Sequence, residues 1–141
     1  MRIFYKKKTS RRRRAKKPVE WIQDNTIHER VVRLVVDLEI DWVMPELVYT
    51  FRSYNSTSNA IARIWGLNKV WQMAISHDPA YVLEVISERF DKLTERQKDE
   101  VILHELAHIP RNFSGALMAH SHAKGAFHDK LDKFIHDYRR K

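Results

Sequence analysis

A helix with both of its ends written into the chain lies between Thr94 and Pro110. Thr94-Glu95-Arg96-Gln97 has the T-x-x-Q form of a capping box, in which each end of the motif satisfies a free backbone N–H of the first turn. Val101, Leu103, Leu106 and Ala107 then give the helix apolar surface to bury, and Pro110, which removes a backbone donor and restricts the residue before it, stops it. Whatever else the chain does, it must pack this helix, and the helix carries His104, Glu105 and His108.

The rest of the body is organised around it. Ile27, Val31, Val32, Leu34, Val35 and Leu38 recur at helical spacing, so 26–39 reads as an amphipathic helix. Leu47 to Tyr54 is rich in β-branched and aromatic residues and is closed by the polar run 55–59, the pattern of a strand and loop. Ile61–Trp65 and Val70–Ile75 flank Gly66-Leu67-Asn68-Lys69, which predicts a β-hairpin. Tyr81–Ile86 predicts a further short strand, 110–123 a loop, and Phe127, Leu131, Phe134, Ile135 and Tyr138 a C-terminal helix. Helix, three or four strands, helix, loop and helix is an α+β order, with a small, mainly antiparallel sheet.

Charge divides the chain at Pro18. Residues 1–17 hold ten Lys or Arg and no acid, whereas the remainder carries 16 basic and 18 acidic side chains, so the net charge of +8 belongs to the arm. Like charges in a block repel, and 1–17 is expected to be a disordered arm with 18–141 as the folded domain. Arg11, Arg12, Arg13 and Arg14 suit nonspecific contact with nucleic acid phosphates, with a merely solubilising extension as the plainer reading. No apolar run is long enough to span a bilayer, no apolar segment follows the basic start as in a secretory leader, and there is no cysteine for a disulfide or thiolate site. These features lead to the expectation of a cytoplasmic protein. They leave oligomeric state open.

His104-Glu105-Leu106-Ala107-His108 places two imidazoles one turn apart on the same helix face, about 5–6 Å between Cβ atoms. That separation lets both rings reach one ion at the usual zinc–nitrogen distance of about 2.0–2.1 Å. Glu105 flanks such an ion without coordinating it, and there it can take a proton from a metal-bound water and pass it to a leaving amine. Chance would give H-E-x-x-H in about 3% of chains of this composition, and its position inside a capped helix raises its weight further. Six of the eight histidines lie between 104 and 136, so a third ligand is close at hand. No Glu follows Glu105, and Arg111 and Ser114 stand where an extended Gly and His pattern would need to be. His120, His122, His128 and His136, with Asp129, Asp132 and Asp137, remain; imidazole is the favoured type, and His120 and His122 stand where a returning loop can reach the ion.

The stretch HELAHIPRNFSGALMAH (104–120), with YVLEVISERFDKLTERQKDEVIL before it, resembles a metallopeptidase family of archaea and phages, zincin-like and similar in plan to SprT-type proteases. The resemblance covers about the C-terminal two thirds of the chain. It implies a minimal zincin-like domain and a Zn²⁺-dependent peptidase acting on a peptide or protein substrate. It also favours His120 as third ligand, since the family's Pro-His-Gly segment falls on Ala119-His120-Ser121, where both neighbours of the histidine differ. His122 and His128 stay as rivals. The basic arm extends this reading to DNA-associated protein as substrate. Two other classes compete with it: a non-catalytic, zinc-stabilised nucleic-acid-binding protein, and a metal-dependent nuclease.

Several further residues carry expectations of their own. Trp71–Ile75 or Val82–Ile86 are candidates for an edge strand on which an extended peptide lies. Arg111, His122 and Tyr138 are positional candidates for a second donor to the developing oxyanion. Trp21, Trp42, Trp65 and Trp71 read first as core aromatics, His28 and His77 as surface histidines, Ser114 as a loop residue, and Gly115 as a turn with positive φ.

Overall fold

The computed structural model describes residues 14–120 and 125–141. Most of the anticipated arm, with Arg11, Arg12 and Arg13, lies outside the described residues, as does His122. The fold is α+β, a sheet of four strands in the order β1-β2-β4-β3 with helices packed on one face. β1 (Glu20–Gln23) and β2 (Val48–Tyr54) are antiparallel, β2 and β4 (Tyr81–Ile86) parallel, and β4 and β3 (Ala62–Gly66) antiparallel, so the sheet is mainly antiparallel.

Between β1 and β2 runs α1 (Asn25–Asp37), whose first turn is capped by Asp24 Oδ1 accepting from Thr26 N at 2.9 Å and Ile27 N at 3.3 Å. Arg52 Nε of β2 donates to the other oxygen of Asp24 at 2.7 Å, tying cap to sheet. The buried positions Ile27, Val31, Leu34 and Val35 recur at the spacing of one helix face. After a single helical turn, α3 (Ser87–Phe90), α4 (Glu95–Ala107) begins with the full capping box, Thr94 Oγ1 accepting from Gln97 N at 3.2 Å and Gln97 Oε1 from Thr94 N at 3.0 Å. Its Ile102, Leu103 and Leu106 are fully buried against Val48, Leu83 and Val85, residues of one sheet face. α5 (Ala126–Arg140) closes the core with Phe127 and Phe134.

One residue fastens the three long helices together. Asp99 of α4 accepts from Arg30 Nη1 at 2.6 Å and Arg33 Nη2 at 2.7 Å, both on α1, and from Tyr138 OH of α5 at 2.7 Å. Burial alone would raise the pKa of Asp99, but hydrogen bonds from Arg30, Tyr138 and Arg33 hold it below its ordinary value. Tyr138 is pushed the other way, to about 12, by burial and by its bond to that carboxylate.

The structure corrects two expectations. The second strand of the anticipated hairpin is instead a short helix, α2 (Lys69–Ala74), which Asn68 caps by accepting from Trp71 N at 3.1 Å. The apolar run there faces outward: Val70, Trp71, Met73 and Ile75 are exposed, and the residue α2 buries is Gln72. Periodicity misleads because the element is fixed by its cap and by two bonds from Gln72 Nε2, to Leu67 O (2.7 Å) and Ser114 O (2.8 Å). The edge-strand candidates fall with it: 71–75 is no strand, and 82–86 belongs to β4, which is paired on both sides. The edge strand that meets α4 is β3.

Candidate metal centre

His104 stands in the last turn of α4, and His108 is its C-cap, still helical at φ −70° and ψ −19°. The third ring arrives from the segment that follows. Phe113 and Gly115 turn the chain with φ of 47° and 89°, and Tyr81 holds the turn from the sheet, its hydroxyl accepting from Gly115 N and donating to Ala116 O, both at 2.8 Å. Only glycine fits at 115: a Cβ there would lie 2.1 Å from Leu67 O and 2.4 Å from Gln72 Nε2. Gly66, at the end of β3, is equally constrained, since its Cβ would meet Gly115 O at 2.1 Å. The chain then runs back beside α4, where Met118 N donates to His108 O at 2.7 Å, and delivers His120 two residues later.

His104, His108 and His120 come together as a result. Their nearest ring nitrogens all lie within 4.8 Å of one another, with His104 Nε2 and His120 Nε2 3.0 Å apart. Phe127 forms the floor, stacked on His108 with centroids 4.4 Å apart and 24° between planes, and lying 5.4 Å from His104 and 4.7 Å from His120. His128 stands next to Phe127 on α5 but outside this group of three. Tyr138 is engaged with Asp99 among the helices, and Arg111 is exposed beside Met118 and Lys130.

The protonation state suits a cation. His108 Nδ1 donates to Met118 O at 2.6 Å, and because a carbonyl can only accept, the free lone pair is on Nε2, the tautomer a metal ligand needs. Burial, then the fields of His108, His120 and His128, lowers the pKa of His104 to about 4. His108 is lowered as well, chiefly by burial. Neutral imidazoles at 104 and 108 fit a metal ion; charged ones would repel each other and it.

Between the two helical histidines, Glu105 is 8% exposed, with no ion pair or hydrogen-bond partner among the described residues. Burial raises its pKa to about 7. With His104 it lines a cleft of about 420 Å³ shared with Ile61, Ala62 and Val101, so the carboxylate looks out past the start of β3.

Three contributors escaped sequence reasoning. Phe127 was readable as a core residue but not as the floor of the centre. Tyr81 orders the third-ring segment from 34 residues away. Lys130, buried on α5, donates to Ile109 O at 2.7 Å and touches Met118 Sδ at 3.1 Å, and its pKa is lowered by burial to about 8. A lysine at a core-facing helical position was the one available signal.

Among the described residues no helix is long and apolar enough to cross a membrane. No curated protein and no solved structure matches the chain. A protein-family match does span residues 19–139, which takes in the sheet, α4, the three-histidine group and nearly all of α5. With this α+β plan and imidazoles that could hold a metal ion, the chain belongs to the family described as putative phage metallopeptidase.

Proposed function

We propose that the protein is a zinc-dependent peptidase in which His104, His108 and His120 hold the ion and Glu105 moves the protons. The observation that carries this reading is a buried carboxylate with no partner among the described residues, set between two imidazoles that converge with a third. Three nitrogen ligands are the usual complement of a catalytic zinc, which keeps one position open. Zinc held there supplies a Lewis acid for the scissile carbonyl and lowers the pKa of a water molecule at the centre.

The chain's own groups do the rest. Glu105, whose proton affinity burial has brought close to neutral pH, accepts a proton from the attacking water on its carboxylate oxygen and delivers it to the leaving amine nitrogen. Met118 O holds His108 in the ligating tautomer, and Phe127 keeps the rings from turning away. A peptide lies extended along the free edge of β3, its backbone bonding to that strand as its scissile bond crosses the cleft over Glu105. The cysteine-free composition suits a cytoplasmic setting for this activity.

The test is metal content with cleavage. The purified chain is expected to bind one zinc and to cleave casein in a chelator-sensitive way, whereas Glu105→Gln keeps the zinc and loses at least about a hundredfold in rate. Cleavage by that variant at the wild-type rate would remove Glu105 from the mechanism. Zinc-dependent hydrolysis of RNA without peptide cleavage would point to a nuclease instead.

A further inference from the structure

Among the described residues no helix packs on the sheet's second face, yet it is not a polar surface. In register along it stand Trp21 on β1, Tyr49 and Phe51 on β2, Val82 and Glu84 on β4, and Arg63 and Trp65 on β3. Trp21 and Trp65 are 59% and 52% exposed, so the expectation that the tryptophans are core holds for half-buried Trp42, stacked on Phe134, and fails for these two and for Trp71.

Their rings are nonetheless fixed. Glu84, 2% exposed at the middle of the sheet, accepts from Trp21 Nε1 at 2.9 Å on one oxygen and from Trp65 Nε1 at 3.2 Å on the other. Arg63 Nε lies 3.0 Å from the same carboxylate, and its guanidinium carbon lies 5.7 Å from the Trp65 ring centre. Two indoles reach in from opposite edges of the sheet and are pinned by their only polar atom to one buried anion. What each has left to offer a ligand is a flat π face, set in place before anything binds. Beside Trp65, a hollow of about 320 Å³ lined by Tyr49, Ile75, His77 and Val82 adds room for a planar group.

Charge selects among ligands with flat faces. The Glu84 carboxylate is buried and countered by Arg63, so it presents little charge outward. Exposed Arg14, Lys16 and Lys17 lead straight into β1, and Trp21 follows Lys17 by four residues. Aromatic faces next to a cationic strip match bases next to phosphates. In a duplex the base faces are already stacked on one another, so the ligand must be single-stranded.

We propose that this sheet face binds single-stranded nucleic acid, its bases stacking on Trp21 and Trp65 and its phosphates meeting Arg14, Lys16 and Lys17 before β1. The site shares no residue with the three-histidine centre and stands whether or not the peptidase reading does.

The full 141-residue chain, titrated with oligo-dT and oligo-rU of 15 nucleotides in 150 mM salt, tests it. In the wild-type protein the indole N–H resonances of Trp21 and Trp65 should shift while that of Trp42, on the helix side, stays; unmoved Trp21 and Trp65 signals would overturn the proposal. Trp21→Ala with Trp65→Ala should weaken binding by at least about tenfold, and Trp21→Phe with Trp65→Phe, which keeps a stacking ring, should restore most of it. An alanine pair that melts like wild type and binds within twofold of it would leave only the basic segment as binder and overturn the stacking site. If the alanine pair does not fold, the wild-type resonances decide. Equal affinity for a 15-base-pair duplex, or the same indole shifts with phosphatidylserine vesicles, would overturn it in favour of a generic anionic surface. A dimer that the alanine pair dissociates would overturn it in favour of a second copy of the chain.

Discussion

Asp99 and Glu105 are carboxylates on one helix, six residues and about 9 Å of helix axis apart, both nearly sealed from solvent, and their surroundings could hardly differ more. Around Asp99 three donors from two other helices converge, and its proton affinity falls. Around Glu105 there is apolar packing, a cleft and imidazoles, and its proton affinity rises to near neutrality. A buried acid surrounded by donors is a fastening, because its charge is satisfied and has no reason to change. A buried acid without them costs stability, and acids perturbed in this way cluster at functional sites.

The most severe way to break the comparison is Glu105→Gln, with the loss of at least about a hundredfold in peptidase rate given above; its counterpart Asp99→Asn should keep metal and most activity. The second effect falls on Asp99 instead. Asp99→Asn leaves Arg30 and Arg33 without their shared anion and should cost about 3 kcal/mol, seen as a lower denaturation midpoint.

The third uses pH. Glu105 has a folded pKa above its ordinary 4.5, so the stability it leaves intact below that value is lost as pH rises through about 7. In chelator, Glu105→Gln should therefore be more stable than wild type at pH 8 by about 3 kcal/mol, with the gap closing by pH 4. Asp99 has the opposite sign: its contribution is present above its ordinary 3.8 and lost as pH falls through its lowered folded value, so Asp99→Asn should approach wild type only in strong acid. Matching pH profiles for the two variants would erase the distinction. The smallest expected effect is a control at the far end of the helix: Thr94→Ala removes the cap and should cost about 1 kcal/mol in urea denaturation without altering either carboxylate's pH signature.

Local signals were enough wherever an element closes on itself. Thr94 and Gln97 announce α4, its His-Glu-x-x-His run marks the candidate centre, and the apolar spacing of α1 and α5 is that of helices with one buried face. Reading failed where a distant partner decides. α2 looks like a strand until Gln72 is seen bonded across to Ser114, and β3 becomes an edge only once β4 is inserted next to β2. Choosing among His120, His122 and His128 from spacing alone was impossible for the same reason: Tyr81 and Gly66, far back in the chain, decide where the segment beyond Gly115 goes. The three donors to Asp99 lie 39 to 69 positions away, so nothing near it distinguishes it from a solvated acid.

The contact between Gly66 and Gly115 has a mechanical consequence. Backbone packs on backbone there with no room for a side chain between, so the end of β3 and the return toward His120 are in direct contact. If a peptide docks on β3 as proposed, a pull on that strand would be felt first at Gly115 and so along the segment that leads to His120.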